Sequence, residues 1–221
     1  MKFKAAIFDM DGLLLDTERV CMDIFQQTCE ALNLPFYPDK YLQIIGRNAA
    51  GIEHIIKQGW GDDLDYPTLN AEWRTRYNAV VKHQAIPKKS GVIALLDWLK
   101  HQGYAIAVAT STQNDVAKVK LQLAEIDHYF DVYATGCEVK NGKPDPEIFL
   151  LAAERLGVCP TECIAFEDSN NGARAAVAAN MTTFQIPDLV SPCEEVRSMV
   201  HFVKPSLDDV LSYLKLNVTS A

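Results

Sequence analysis

Lys4-Ala5-Ala6-Ile7-Phe8-Asp9-Met10-Asp11-Gly12-Leu13-Leu14-Leu15-Asp16-Thr17 is the stretch from which the rest of the chain can be read. Residues 5–8 form a short continuous apolar run, the pattern of a strand covered on both faces, and Asp-x-Asp-Gly closes it as a turn. Strands covered on both faces belong to parallel sheets with helices on each side. A helix follows: from Asp16 or Thr17 as N-cap, Cys21, Phe25, Cys29 and Leu32 recur at helical spacing until Asn33 and Pro35 stop it.

Outward from this stretch the pattern is first all helix. Residues 39–45, 49–58 and 67–83 read as helices, punctuated by Gly46, Gly59, Gly61 and Pro67, and no strand candidate lies between Thr17 and Pro87. From Ser90 helices and apolar strands alternate: helix 91–101, strand 104–109, helix 113–124, strand 131–135, helix 146–156, strand 163–166, helix 169–179, strand 181–186, a short strand at 201–203 and helix 207–214. Such alternation implies right-handed crossovers between parallel strands. The expected fold is α/β: a Rossmann-like parallel-sheet core of residues 1–16 and 88–221, with an all-α cap inserted at 17–87.

Composition narrows the function. The 221 residues are 48% hydrophobic and carry a formal net charge of -8, with Lys and Arg scattered. A nucleic-acid surface needs a basic stripe, so none is expected. No apolar run approaches the roughly 20 residues of a membrane span, and only four apolar residues separate the N-terminal lysines from Asp9, too few for a signal peptide. A cytoplasmic monomer is expected, with no nucleic-acid or membrane partner. The six cysteines do not suggest a disulfide framework in a chain of this length, and Cys159 and Cys163 lack a second pair to finish a zinc site, so they read as small buried hydrophobes. Asn217-Val218-Thr219 matches a glycosylation acceptor that matters only in a secreted protein. Gly136 to Lys143 is not a P-loop, because five residues separate its glycines and Pro144 stands where Ser or Thr is needed.

In open parallel sheets, ligands bind beyond the carboxyl ends of the strands. The residues there are Asp9-Met10-Asp11-Gly12, Thr110-Ser111-Thr112 and Glu167-Asp168-Ser169-Asn170, with Lys143 in a turn just before a helix. Carboxylates, hydroxyls and one ammonium suit phosphoryl transfer to a protein carboxylate assisted by a divalent cation. Asp9 is the candidate nucleophile, and Asp11, two residues on along an extended segment, the candidate acid and base. Magnesium needs a few hard oxygen ligands, which Asp9 and Asp168 can supply. Lys143 offsets the charge of nucleophile and phosphoryl group. The Thr110 hydroxyl and neighbouring groups, Ser111 among them, are candidates to hold the phosphoryl oxygens.

Taken together, Asp9 to Thr17, Thr110 after a strand, Lys143-Pro144-Asp145-Pro146 and Glu167-Asp168-Ser169-Asn170-Asn171-Gly172 resemble the haloacid dehalogenase superfamily of phosphohydrolases over nearly the whole chain. The nearest subgroup contains β-phosphoglucomutase and sugar-phosphate phosphatases with a helical cap. The resemblance implies a magnesium-dependent phosphatase acting on a small phosphorylated metabolite through an aspartyl-phosphate, with Asp9 as nucleophile and Asp11 as acid/base. It implies a Mg2+ set of Asp9, the main-chain carbonyl of Asp11 and Asp168, with Glu167 as an outer partner. It also places Gly46-Arg47 where a cap Gly-Arg pair faces substrate. The alternative, a phosphosugar mutase, is disfavoured because Cys21 stands where the mutase has a histidine. Asp11 argues against carbon–halogen cleavage, since the name-giving dehalogenases lack that aspartate. A non-catalytic phosphometabolite-binding protein is a third reading without a sequence feature to support it.

Overall fold

The computed structural model describes residues 3–45, 47 and 49–217. Six parallel strands form one sheet in the order β3-β2-β1-β4-β5-β6, with β1 Ala5–Phe8, β2 Ala105–Thr110, β3 Val132–Thr135, β4 Cys163–Glu167, β5 Thr182–Gln185 and β6 Phe202–Val203. The order runs outward from β1 to β3 and then reverses across β1 to β4, so the crevice between β1 and β4 is the switch point of the sheet.

Strand side chains alternate between the faces, and size alternates with them. Ala6, Phe8, Ile106, Val108, Ile164 and Phe166 meet helices α5 (Val92–His101), α6 (Asn114–Leu123) and α10 (Leu207–Asn217) in one buried cluster. The small residues Ala5, Ala107, Ala109, Cys163 and Ala165, with Ile7, face α7 (Glu147–Leu156) and α8 (Asn170–Ala178), so these helices lie close to the sheet. On the bulky face a row of phenylalanines crosses four strands in register. Phe8 pairs with Phe166, Phe166 with Phe184 and Phe184 with Phe202, at ring-centroid distances of 4.6, 5.6 and 4.5 Å.

Between β1 and α5 the chain forms α1 (Thr17–Ala31), α2 (Pro38–Leu42), α3 (Ala49–Trp60) and α4 (Tyr66–His83). Their shared cluster centres on Phe25, whose ring contacts Phe36, Tyr41, Trp60 and Trp73. The base of this group belongs to the sheet's core, since Val81 and Ile86 are buried there and Val20 and Tyr77 pack against it. The chain leaves and returns side by side: Asp16 N–H donates to the Pro87 carbonyl at 2.8 Å and Lys89 N–H to the Leu14 carbonyl at 3.0 Å. Across this joint, Arg19 and Lys89 both reach Asp188 Oδ1, at 2.7 and 2.5 Å, and Arg19 also pairs with Asp16.

Two differences from the sequence reading have local causes. Glu194–Met199 is a helix (α9) of six residues with only Val196 buried, too short to show a period. Of the Cys159 and Cys163 pair, only Cys163 is buried; Cys159 is exposed after a glycine-terminated helix, and all six cysteines are free. Among the described residues no helix is long and apolar enough to cross a membrane. Gly46, Val218 and Thr219 lie outside the described residues.

Candidate active site

The site follows from register. Phe8 and Phe166 are paired with their rings on the bulky face, so the next residues, Asp9 and Glu167, project to the opposite face, toward the turn that precedes α7. Asp9 N–H donates to the Phe166 carbonyl at 3.0 Å, which extends the pairing one residue beyond β1. Lys143, from that turn, places Nζ 2.5 Å from Asp9 Oδ1, 2.6 Å from Glu167 Oε1 and 3.0 Å from the Ala109 carbonyl, which accepts. Strands β1, β2 and β4 thus each contribute one group to a single buried ammonium.

Asp9, Glu167 and Asp168 each offer a carboxylate oxygen within 4.8 Å of the others, and all three residues are buried. Glu167 is fully engaged: its second oxygen accepts from Ser169 N–H and Ser169 Oγ, both at 2.9 Å. Gly172, in the first turn of α8, makes this possible, because a Cβ there would lie 1.7 Å from Glu167 Oε1. The Asp168 carboxylate takes no hydrogen bond from the described residues. It lies over Gly12, whose φ of +87° closes the turn and whose Cβ position is 2.5 Å from Asp168 Oδ2. Three buried carboxylates against one lysine leave an excess of negative charge in a low-dielectric site. Hard oxygen donors, burial and that excess all fit a divalent cation.

Burial pushes the Asp9 carboxyl up from 3.8 to about 8, the Glu167 and Asp11 charges adding to it despite Lys143. Asp168 is likewise driven well above its ordinary value, first by burial and then by Glu167 and Asp9. Asp11 goes the other way. Burial opposes ionisation, yet the charge and hydrogen bond of Lys120, with the Thr112 hydroxyl, hold it below the usual 3.8.

A consequence for stability can be measured. The folded state binds the Asp9 proton more tightly than the unfolded chain, so the stability this group contributes is complete below about 3.8 and is lost as pH rises through about 8. In chelator, the melting temperature of Asp9→Asn is therefore expected to gain on that of the parent protein between pH 5 and 8. A constant difference across that range would contradict the assignment.

Asp11 lines a cavity of about 550 Å3 between α1, α4 and the start of α6, together with Glu18, Cys21, Tyr77, Ser111 and Lys120. Its Oδ2 accepts from Thr112 Oγ1 at 2.6 Å and its Oδ1 from Lys120 Nζ at 2.8 Å. Thr110, at the end of β2, is buried; its Oγ1 accepts from Thr112 N–H at 3.1 Å and lies 3.5 Å from Asp11 Oδ2. Ser111 is exposed to the cavity. Arg47 is exposed and donates from Nε to the Gln43 carbonyl at 2.6 Å, which ties its guanidinium to its own segment.

The structure therefore brings Asp9, Asp11, Thr110, Lys143, Glu167 and Asp168 to one sheet edge, with Ser111 at the rim. Sequence reasoning missed Thr112 and Lys120. Thr112 stood within the hydroxyl triplet after β2. Lys120 had a signal of its own, since Ala117, Lys120, Leu121 and Ala124 form a buried helical stripe in which a lysine is out of place.

Comparison with known proteins identifies the family. The model of the family described as haloacid dehalogenase-like hydrolase matches residues 6–186. A phosphorylated carbohydrates phosphatase of Thermotoga maritima is 32% identical over 221 residues, covering 96% of this chain and 98% of its own. A beta-phosphoglucomutase of Bacillus subtilis is 30% identical over 188 residues, covering 80% of each chain. The crystal structure of CbbY from Rhodobacter sphaeroides in complex with phosphate matches with a TM-score of 0.75 at 26% identity, covering 94% of this chain and 96% of that one. With a family match that runs from β1 to the residue after β5, and so takes in every strand end that carries a site residue, the chain belongs to the haloacid dehalogenase-like hydrolase family.

Proposed function

We propose that the protein is a magnesium-dependent phosphatase that hydrolyses a small phosphorylated sugar or similar phosphomonoester through an aspartyl-phosphate on Asp9. The observation that carries this reading is the Lys143 ammonium held between Asp9 and Glu167 beside the uncommitted carboxylate of Asp168. Asp9 and Asp168, with the main-chain carbonyl of Asp11, would hold Mg2+, and Glu167, which accepts from Lys143 and Ser169, braces the lysine from behind. Magnesium, when bound, supplies Lewis-acid polarisation of the phosphoryl oxygens and offsets the charge that an anionic nucleophile must approach.

The protein's own groups do the rest. Asp9 Oδ forms the bond to phosphorus as the ester P–O bond breaks, and Asp11, which takes up a proton as the anionic ester enters beside it, gives that proton to the leaving oxygen. Asp11 then takes a proton from the water that cleaves the aspartyl-phosphate. Lys143 keeps Asp9 oriented and shares the charge of the transferred group, while Thr110 and Ser111 hold phosphoryl oxygens at the end of β2. Residues 17–87 act as a cap that covers the cavity.

Hydrolysis is favoured over the mutase reading by Cys21, which lines the cavity with a thiol that burial pushes up to about 12. Such a group offers neither a positive charge nor a ready proton for retaining a bisphosphate. The phosphorylated carbohydrates phosphatase aligned over nearly the full chain supports a sugar phosphate as substrate class. The test is phosphate release from a panel of hexose, pentose and triose phosphates, with Mg2+ and with chelator. Release in Mg2+ that chelator abolishes is expected; no release from any panel member, or release indifferent to chelator, would defeat the proposal.

A further inference from the structure

The buried lysine of α6 has no part in the chemistry above. Lys120 is 3% exposed, on the stripe that otherwise carries Ala117, Leu121 and Ala124 into the core. An apolar side chain would serve that stripe better, because an ammonium taken out of water costs stability unless it is fully paired. Lys120 is paired twice: Nζ donates to Asp11 Oδ1 at 2.8 Å and to the Tyr77 hydroxyl at 3.1 Å. Tyr77 lies on α4, with its ring packed against the sheet's core, and the ammonium sits 5.4 Å from the ring centroid.

An aspartate has two rotatable side-chain bonds, so one hydrogen bond leaves its carboxylate free to turn. Asp11 is held at both oxygens, by Thr112 in the turn that leads into α6 and by Lys120 within α6 itself. The two donors share one rigid frame, and their bonds define the plane of the carboxylate. We infer that Lys120 is a positioning residue that, with Thr112, fixes the orientation in which Asp11 passes its proton to the leaving oxygen, Tyr77 anchoring the ammonium from the helical segment. The inference rests on the reading of Asp11 as the acid.

In the step concerned, Asp9 Oδ bonds to phosphorus, the bond from phosphorus to the leaving oxygen breaks, and the Asp11 proton moves to that oxygen. The carboxylate left behind is the form that Lys120 and Thr112 hold. An acid matters most when the leaving group is poor, so a misplaced Asp11 shows itself in the dependence of rate on leaving group. The parameter kcat/KM reports steps up to aspartyl-phosphate formation, and later hydrolysis does not mask it.

The experiment compares 4-nitrophenyl phosphate, whose leaving group needs little help, with phenyl phosphate, nearly the same in shape. Lys120→Met is expected to lower kcat/KM for phenyl phosphate about tenfold more than for 4-nitrophenyl phosphate. Tyr77→Phe, which removes only a hydroxyl, is expected to skew the ratio the same way by a few-fold, and it decides the matter should Lys120→Met fail to fold. Asp11→Asn runs alongside. If Asp11→Asn shows the skew while the Lys120 and Tyr77 variants slow both esters alike, or slow neither, the inference about Lys120 falls alone. If Asp11→Asn shows no skew, the acid assignment falls and the inference with it.

Discussion

Replacing Asp9 with asparagine is expected to lower kcat by about 10^4-fold or more, on any phosphomonoester the protein accepts. The amide keeps the size and shape of the carboxylate, and its oxygen can still accept from Lys143, so the geometry at the end of β1 survives. What it loses is the anion that, on the proposed mechanism, forms the bond to phosphorus. Folding is not the explanation for such a loss, because Asp9 is a buried carboxylate whose charge is disfavoured in the metal-free fold. The variant should melt no lower than the parent in chelator at pH 8, while the parent alone incorporates phosphate on Asp9 in a rapid-quench experiment followed by mass spectrometry. Turnover of Asp9→Asn within tenfold of the parent would mean that the nucleophile lies elsewhere.

Truncating Phe166 to alanine has the largest expected effect on stability. The side chain is fully buried in the middle of the phenylalanine row, stacked on Phe8 and against Phe184. A buried Phe to Ala change costs about 3–5 kcal/mol when the surroundings cannot collapse into the space. Here they cannot, because the flanking rings belong to strands held in register on both sides. In a domain of this size each kcal/mol moves the melting temperature by roughly 2–4 °C, so a fall of about 10 °C is expected in thermal unfolding. Phe166 also carries the carbonyl that accepts from Asp9 N–H and precedes Glu167, so the strand whose position it secures is the one that sets the site. A shift of only a degree or two would mean that the row relaxes around the gap.

How far the fold can be read from the sequence depends on whether its cause is local. The run Ala5–Phe8, closed by Asp9 and Gly12, carries its own signal, as do the apolar run that makes β2 and the apolar stripe of α7. Strand ends then follow, and with them Asp9, Thr110 and Glu167, because residues at the end of parallel strands must meet at one edge. Lys143 is legible for a related reason: it sits in the turn that leads into α7, and that turn has to pass that edge. Lys120 is different. Its partner Asp11 is 109 residues away, and helical spacing alone does not say that a lysine at a buried position has found a carboxylate. The α9 segment fails for want of length, with one buried residue in six. The ion pairs of Arg19 and Lys89 with Asp188 join three distant stretches, and no periodicity encodes them.

The paired backbone segments at Leu14–Asp16 and Pro87–Lys89 bear on how such a protein can change over time. A chain that departs and returns through neighbouring, hydrogen-bonded positions threads its sheet as it would if Leu14 ran straight on to Lys89. The length and sequence of the intervening helices therefore do not enter the strand order, and closing them into a loop costs only slowly more as they lengthen. Residues of α1 to α4 that face the cavity and pack neither against the sheet's core nor on Lys120 can drift while the carboxylates at the ends of β1 and β4 keep their register. If the cavity-facing residues choose the substrate as proposed, that choice can change with little change in the strands that carry the carboxylates.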